Sequence, residues 1–292
     1  MKILIFGASG PIGFNLFENF KMGKHEVEGT YLKNKPTLYK FHELDVTNKE
    51  ETIGLIKKNN PELVIDCVAL AGVELAERDK KLADLVTVEG TKNIVKGCQF
   101  NGSKIIYLSS SYVYGDLNKI NHETSKTDPS TYYGKTKLMA EENIIDSDLD
   151  YLIIRADQPY TWTKTWQREN SVTRLIRAIK DKKKFNEIID WYNNPSYIPD
   201  ITKSVGSLIN KNKTGVFNVV GSDYVNRYDW SCKVAETFGL DTNLINPINS
   251  SELQISVKRP NINSSNEKLF QETGIKMKGI LDGAIDLKKN IN

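Results

Sequence analysis

The chain has 292 residues, with 40 Lys+Arg against 37 Asp+Glu and a formal net charge of +3. That near balance gives no reason to expect a nucleic-acid or membrane surface, and a small-molecule ligand is the expected partner. Three cysteines, Cys67, Cys98 and Cys232, have no ligand spacing, and their odd number argues against a disulfide framework. His25, His42 and His122 are scattered and join no metal motif, so no metal is expected. Met1-Lys2 leads directly into an apolar stretch and no apolar run is long enough to span a bilayer, so the expected location is cytoplasmic.

The first thirteen residues organise the chain. Ile3 to Phe6 is a short apolar run without polar alternation, as expected of a buried parallel strand. Gly7, Gly10 and Gly13 follow it, and Pro11 falls at the first helical position, where a missing N–H costs nothing. A strand, a tight glycine turn and a helix start form an anion site suited to the pyrophosphate of a dinucleotide. The helix is expected from Pro11 to about Lys21, and a second strand from Glu26 to Tyr31. An acidic residue at the end of that strand would favour NAD. The residues there are instead Thr30, Tyr31, Lys33 and Lys35, which either hold the 2′-phosphate of NADP or simply solvate a loop.

Phe41 to Glu43 reads as a third strand, followed by a helix through Glu50 to Lys58 with Thr47 as its cap. Leu63 to Val68 is a fourth strand, closed by the small residues of Ala69-Leu70-Ala71-Gly72, which would let a cofactor approach the backbone. A long helix is expected from about Ala83 to Gln99, then a fifth strand from Lys104 to Leu108 running into Ser109-Ser110-Ser111-Tyr112-Val113-Tyr114-Gly115. Ligands of open α/β sheets sit beyond the carboxyl ends of the strands, which places this serine cluster where chemistry is expected. Pro129 and Ser130 mark the start of a helix reaching about Ile145. Tyr133 and Lys137, four apart, share one face of it. An ammonium beside a phenol favours the phenolate and lowers its pKa from about 10, so the pair suits general acid–base work.

With these motifs assembled, the chain resembles the extended short-chain dehydrogenase/reductases of the NAD-dependent epimerase/dehydratase superfamily over essentially its whole length. Gly7-x-x-Gly10-x-x-Gly13 resembles that family's glycine motif and Tyr133-x-x-x-Lys137 its catalytic pair, while Ser110 stands at the position of its catalytic Ser or Thr. Within the family it is most similar to the dTDP-4-dehydrorhamnose reductases. That likeness rests on Leu108 to Tyr114, Tyr133 to Lys137, Asp190 to Asp200, Gly215 to Ser222 with Arg227 to Trp230, and Arg259 to Ser265.

The resemblance implies a Rossmann-type, doubly wound parallel α/β sheet with a smaller C-terminal α+β substrate lobe. It implies NADPH, with NAD as the alternative cofactor, and a nucleotide-linked 4-keto-6-deoxy sugar as substrate. Tyr133 would protonate the carbonyl oxygen, Lys137 would bind the nicotinamide ribose and keep Tyr133 acidic, and Ser110 would orient the carbonyl. The alternative for Ser110 is a turn hydroxyl that caps nearby backbone, which the company of Tyr133 and Lys137 disfavours. Cofactor contacts are implied at Gly7, Ser9, Gly10, Pro11, Ile12, Gly13, Tyr31, Lys33, the pair Asp45 and Val46, and Ala69, Leu70 and Ala71. Substrate contacts are expected from Ser111, Tyr112, Trp162 and Arg168, although the tryptophans Trp162 and Trp166 could instead pack the lobe.

Three stretches depart from the family pattern. Thr87 replaces an asparagine that supports the lysine in many relatives, Asp66-Cys67-Val68-Ala69 replaces Asn-Ala-Ala, and Asp157-Gln158-Pro159 replaces Tyr-Gly-Pro after the sixth strand, Tyr151 to Arg155. The cofactor domain is expected over 1–156 with 199–222 returning to it, and the substrate lobe over 157–198 and 223–292. Ser171 to Lys180, Tyr228 to Phe238 and Lys278 to Asn290 read as helices, and Val216 to Val220 as a strand. The same fold serves epimerases, and some relatives are cofactor-binding regulatory subunits without activity, so both stay open beside the reductase. A homodimer is allowed by the family pattern.

Overall fold

The computed structural model describes residues 1–70, 72–115 and 119–291. Its centre is a parallel sheet built from β1 (Lys2–Phe6), β2 (Glu26–Tyr31), β3 (His42–Glu43), β4 (Leu63–Asp66), β5 (Lys104–Ser110), β6 (Tyr151–Ala156) and β7 (Gly215–Asn218). Among the described residues these seven strands lie in the order β3-β2-β1-β4-β5-β6-β7. The order reverses between β1 and β4, which is where such sheets open a ligand crevice at their carboxyl edge. The return of β7 beside β6 matches the expectation that a late strand rejoins the main sheet, with Val216 opposite Ile153.

The strands are apolar along their length because both faces are covered. On one face Ile3 and Ile5 meet Phe14, Phe17 and Phe20 of α1 (Pro11–Met22) together with Ile201, Val205 and Leu208 from the helix Ile198–Asn210. On the other, Leu4 and Phe6 meet Ile56 of α2 (Lys49–Asn59), Ile94, Val95 and Cys98 of α3 (Gly90–Asn101), and Ala140 and Ile144 of α4 (Tyr132–Ile145). The alternation within Ile3-Leu4-Ile5-Phe6 is thus one between two buried faces rather than between core and solvent. A third cluster lies beyond the sheet. There Val172, Leu175, Ile176 and Ile179 of α5 (Ser171–Lys180) pack on Trp230 and Val234 of the helix Arg227–Phe238 and Leu287 of the helix Ile280–Lys289.

Helix starts differ from the sequence reading in small, explicable ways. Asn48, not Thr47, caps α2, its side chain accepting from the Glu51 N–H at 3.2 Å. Thr131, not Ser130, caps α4, accepting from the Gly134 N–H at 3.1 Å. Adjacent cap-competent residues leave the choice to the tertiary entry angle of the chain. The long helix expected from Ala83 is interrupted. Asp84–Glu89 forms a wide π turn before α3, inside which the Thr87 hydroxyl accepts the Leu70 N–H at 3.2 Å. Gly90 then passes so near Val46 that a β-carbon would lie 2.7 Å from its Cγ2.

The glycine turn shows why two of its residues have no side chain. Gly7 has φ +69°, and a β-carbon at Gly13 would stand 2.5 Å from the Gly7 carbonyl oxygen and 2.9 Å from the Ala8 Cα. These are backbone atoms and cannot yield without moving α1 off β1. Gly13→Ala is therefore expected to cost about 1–3 kcal/mol as an overpacking defect, read as a lowered thermal midpoint, and to weaken NADP(H) binding in calorimetry.

Candidate active site

The carboxyl edge of the sheet opens into a cleft of about 560 Å³. It is lined by Gly7, Gly10, Pro11, Ile12 and Gly13 of the glycine turn, by Ser110, Tyr112, Tyr133 and Lys137, and by Arg168, Arg174, Arg227 and Arg259. Gly10 stands at the N-cap of α1 in extended conformation without a capping side chain, so the first-turn N–H groups face the cleft. The close strand–helix approach at Gly13 and this bare helix start fit the pyrophosphate of a dinucleotide.

The neighbouring residues that were assigned to a cofactor divide in position. The Thr30 hydroxyl accepts the Gly7 N–H at 3.1 Å and so holds the turn. Tyr31 is buried and donates its hydroxyl to Glu43 Oε2 at 2.8 Å, whereas Lys33 and Lys35 are exposed. Asp45 is partly buried and accepts the Thr47 N–H at 3.0 Å; Val46 is buried, its carbonyl taken by Asn93 Nδ2 at 3.0 Å. Ser9 is buried beneath the turn, its carbonyl accepting from Gln167 Nε2 at 3.0 Å. Ala69 lines the cleft, Leu70 is tied back to Thr87, and Ala71 lies outside the described residues.

Ser110, Tyr133 and Lys137 come together as expected. Ser110 ends β5, and its Oγ accepts the Tyr112 N–H at 3.3 Å. It therefore has the turn role as well as a place in the cleft, and its hydrogen bond to the Tyr133 phenol acts to lower the phenol's pKa. Burial outweighs that effect and, with Asp157 nearby, pushes Tyr133 up to about 12. The expectation that Lys137 makes Tyr133 more acidic is not met in this arrangement. Lys137 Nζ instead donates to the Leu108 carbonyl at 2.7 Å and sits 4.5 Å from the Tyr107 ring centroid. Burial pulls the Lys137 ammonium down to about 8, although Asp66 opposes the shift. Asp66 is itself buried, accepting the Val68 N–H at 2.8 Å and the Thr91 hydroxyl at 2.8 Å. Tyr133 consequently stays protonated near neutrality, the state required of a proton donor.

A buried network behind the cleft holds these groups in register. Glu141, one turn beyond Lys137 on α4, takes Arg155 Nε at 3.0 Å and Nη2 at 2.6 Å, and also the Ser109 hydroxyl at 2.5 Å. Arg155 Nη1 donates to the Tyr114 hydroxyl at 2.8 Å, which donates in turn to Asn218 Oδ1 at 2.7 Å. Four segments, α4, β5, β6 and β7, are joined through this one chain of hydrogen bonds.

Two of the expected substrate contacts are corrected. Trp162 packs edge-on against Phe238, 5.9 Å between centroids, and donates Nε1 to the Leu287 carbonyl at 2.7 Å, so it builds the lobe rather than the cleft wall. Ser111 is fully buried and meets Ser264 Oγ at 3.3 Å. Trp166 likewise packs on Phe14, 5.4 Å between centroids. Tyr112 and Arg168 do line the cleft. Sequence reasoning missed Asp157, Arg174 and Trp191 as site residues and quoted Arg227 and Arg259 only as parts of motifs. Arg227 is buried, paired with Glu187 at 2.9 Å, and Arg259 pairs with Glu74 at 2.6 Å. Arg174 could have been found, since it stands on the polar side of α5 opposite Val172, Ile176 and Ile179. Its side chain is exposed at the cleft, and loss of solvent there together with the nearby Arg227 and Arg168 lowers its pKa.

Comparison with known proteins bears on the whole fold. The chain is 25% identical over 266 residues to the methionine adenosyltransferase 2 subunit beta of Rattus norvegicus, covering 89% of this chain and 78% of that protein. It is 25% identical over 272 residues to the dTDP-4-dehydrorhamnose reductase of Aggregatibacter actinomycetemcomitans, covering 89% and 88%. The crystal structure of dTDP-4-dehydrorhamnose reductase from Bacillus anthracis in complex with NADP shares the fold with a TM-score of 0.89, at 22% identity and full coverage of both chains. The family profile of the RmlD substrate binding domain matches residues 1–280. A match of that extent takes in the glycine turn, the sheet and the lobe alike, and the chain belongs to the RmlD substrate binding domain family.

Proposed function

We propose that this protein is an NADPH-preferring reductase of a nucleotide-linked 4-keto-6-deoxy sugar, with NADH as the alternative reductant. The observation that carries the reading is the meeting of Ser110, a protonated Tyr133 and Lys137 in one cleft lined also by the glycine turn and by arginines. Residues 1–156 with 199–222 would form the cofactor domain, and 157–198 with 223–292 the substrate lobe.

Gly7, Gly10 and Gly13 leave room for the pyrophosphate, the first turn of α1 supplies its N–H donors, and Lys33 and Lys35 stand exposed after β2 for a 2′-phosphate. When bound, the nicotinamide supplies a hydride to the carbonyl carbon of the sugar. Tyr133 gives its phenolic proton to the carbonyl oxygen, and Ser110 donates a hydrogen bond that orients that oxygen. Lys137, on the same helix face as Tyr133 and lining the same cleft, is placed to hold the nicotinamide ribose. Arg168 and Arg174 suit the diphosphate of the sugar nucleotide.

The similarity to methionine adenosyltransferase 2 subunit beta favours a second reading, a cofactor-binding subunit that regulates a partner enzyme. The two are separated by NADPH and NADH oxidation with a panel of nucleotide 4-keto-6-deoxy sugars, run beside Tyr133→Phe. Sugar-dependent oxidation that falls about 10²–10⁴-fold in the variant is expected for a proton donor. Tight NADP binding with no turnover on any sugar, and co-purification with an enzyme, would instead establish the regulatory reading.

A pH profile tests the role of Lys137. Its ammonium is charged below about 8 and neutral above, whereas Tyr133 keeps its proton to about 12. The expected kcat/KM for reduction therefore declines as pH rises through about 8, and the residual activity of Lys137→Met lacks that inflection.

A further inference from the structure

The cleft contains a carboxylate that the proposed chemistry leaves unused. Asp157 directly follows Ala156, which lies opposite Ser110 in the β5–β6 register, so it emerges at the carboxyl edge beside the serine. It is 1% exposed and lines the cleft with Ser110, Tyr112 and Tyr133. Its Oδ2 accepts the Asn194 N–H at 2.9 Å; Oδ1 is buried with no partner in full hydrogen-bond geometry among the described residues, and the adjacent Gln158 N–H also favours the ionised carboxylate. The Tyr112 hydroxyl is in the same condition, 4% exposed as a residue and without a partner, on a ring that packs edge-on to Tyr133 at 5.8 Å.

A buried carboxylate oxygen left unpaired is costly, and such groups are completed by an ordered water, an ion or a ligand; of the unpaired buried atoms among the described residues, those of Asp157 and Tyr112 belong to residues that line the cleft. Glu169, the other carboxylate of the cleft wall, is paired with Arg177 at 2.8 Å. Arg227 and Arg259 are engaged with Glu187 and Glu74, and neither forms an ion pair with Asp157. The groups bearing on Asp157 are the Asn194 and Gln158 N–H groups, Arg227 from the lobe, Tyr133 from α4 and Tyr112 from the turn after β5. The arginines that line the cleft suit an anion; an acceptor beside Ser110 suits the opposite chemistry. We propose that Asp157 and Tyr112 select the substrate by its sugar, with Asp157 Oδ1 accepting a hydrogen bond from a hydroxyl or amino substituent near the reacting carbon and the Tyr112 hydroxyl completing that contact. This rests on the nucleotide-sugar reading above. Burial raises the Asp157 carboxyl to about 7, with Arg227 acting against the shift, and a donor in this place would return it toward the ionised form.

The test compares calorimetric titrations of UDP, UDP-glucose, dTDP and dTDP-glucose into the NADP-loaded full chain. Asp157→Asn keeps an amide oxygen for the Asn194 N–H but loses the charge, and Tyr112→Phe removes only the hydroxyl. In the wild type, at least one sugar nucleotide should bind about tenfold or more tightly than its nucleoside diphosphate. Asp157→Asn should reduce that advantage about tenfold, the scale of a lost charged hydrogen bond, and Tyr112→Phe severalfold, with nucleoside diphosphate affinity unchanged in both. A wild type without any sugar advantage, or variants that retain it, would overturn the proposal. If Asp157→Asn does not fold, Tyr112→Phe alone decides. Sugar-selective binding that depends on these residues but no NADPH oxidation with any keto sugar would leave this inference standing and sink the reductase reading.

Discussion

The ion pair between Glu141 and Arg155 is the constraint on which the site depends. Both side chains are almost entirely withdrawn from water, at 1% and 5% exposure. Desolvating two charges costs several kcal/mol per ion unless geometry and further hydrogen bonds compensate. Here the guanidinium meets the carboxylate through two nitrogens, Ser109 supplies a third bond to Glu141, and Tyr114 takes another Arg155 nitrogen. The pair binds the helix bearing Tyr133 and Lys137 to the strand ending in Ser110 and to the strand preceding Asp157. A satisfied buried network of this kind is rigid, because any shift leaves a buried charge without its partner.

Around that fixed frame the electrostatics follow one rule. Burial moves each ionisable group toward its neutral form: Tyr133 up to about 12, Lys137 down to about 8, Asp157 up to about 7. Local contacts then temper the effect, and they differ for each group. Lys137 has the Leu108 carbonyl and the Tyr107 ring; Tyr133 has Ser110; Asp157 has the Asn194 and Gln158 N–H groups. The Leu108 carbonyl anchors Lys137 in the role a supporting asparagine would share, while Thr87 is occupied with the backbone of Leu70.

Much of the architecture was legible from the residues alone. The strand of Ile3 to Phe6, the glycine turn, the helix of Tyr133 and Lys137 and the helix Ser171–Lys180 are each set by neighbours within a few positions, through periodicity, φ requirements or close backbone approach. The joint placement of Ser110, Tyr133 and Lys137 was legible through the resemblance of their motifs to a known family, since Ser110 ends β5 while Tyr133 and Lys137 lie on α4. Boundaries were less legible where two adjacent residues could cap one helix, as with Thr47 and Asn48 or Ser130 and Thr131, and where the π turn before Gly90 broke an otherwise regular pattern.

The lobe marks the limit. Trp162 looked suited to stacking on a sugar nucleotide, but its indole finds the Leu287 carbonyl, 125 residues along the chain, and leaves the cleft. Ser111 is turned toward Ser264 by contacts equally remote. Conversely Asp157 reads as an ordinary loop acid until Asn194, Tyr112 and Ser110 are seen around it. The sequence by itself determined the α/β class and the dinucleotide turn, because helix period, strand burial and glycine geometry are local properties, while the Ser–Tyr–Lys group was legible through the resemblance of its motifs to a known family. Only the tertiary structure decided which polar side chains are satisfied within the protein and which face the cleft, because a hydrogen bond is completed by whatever group folding brings near, however distant in the chain.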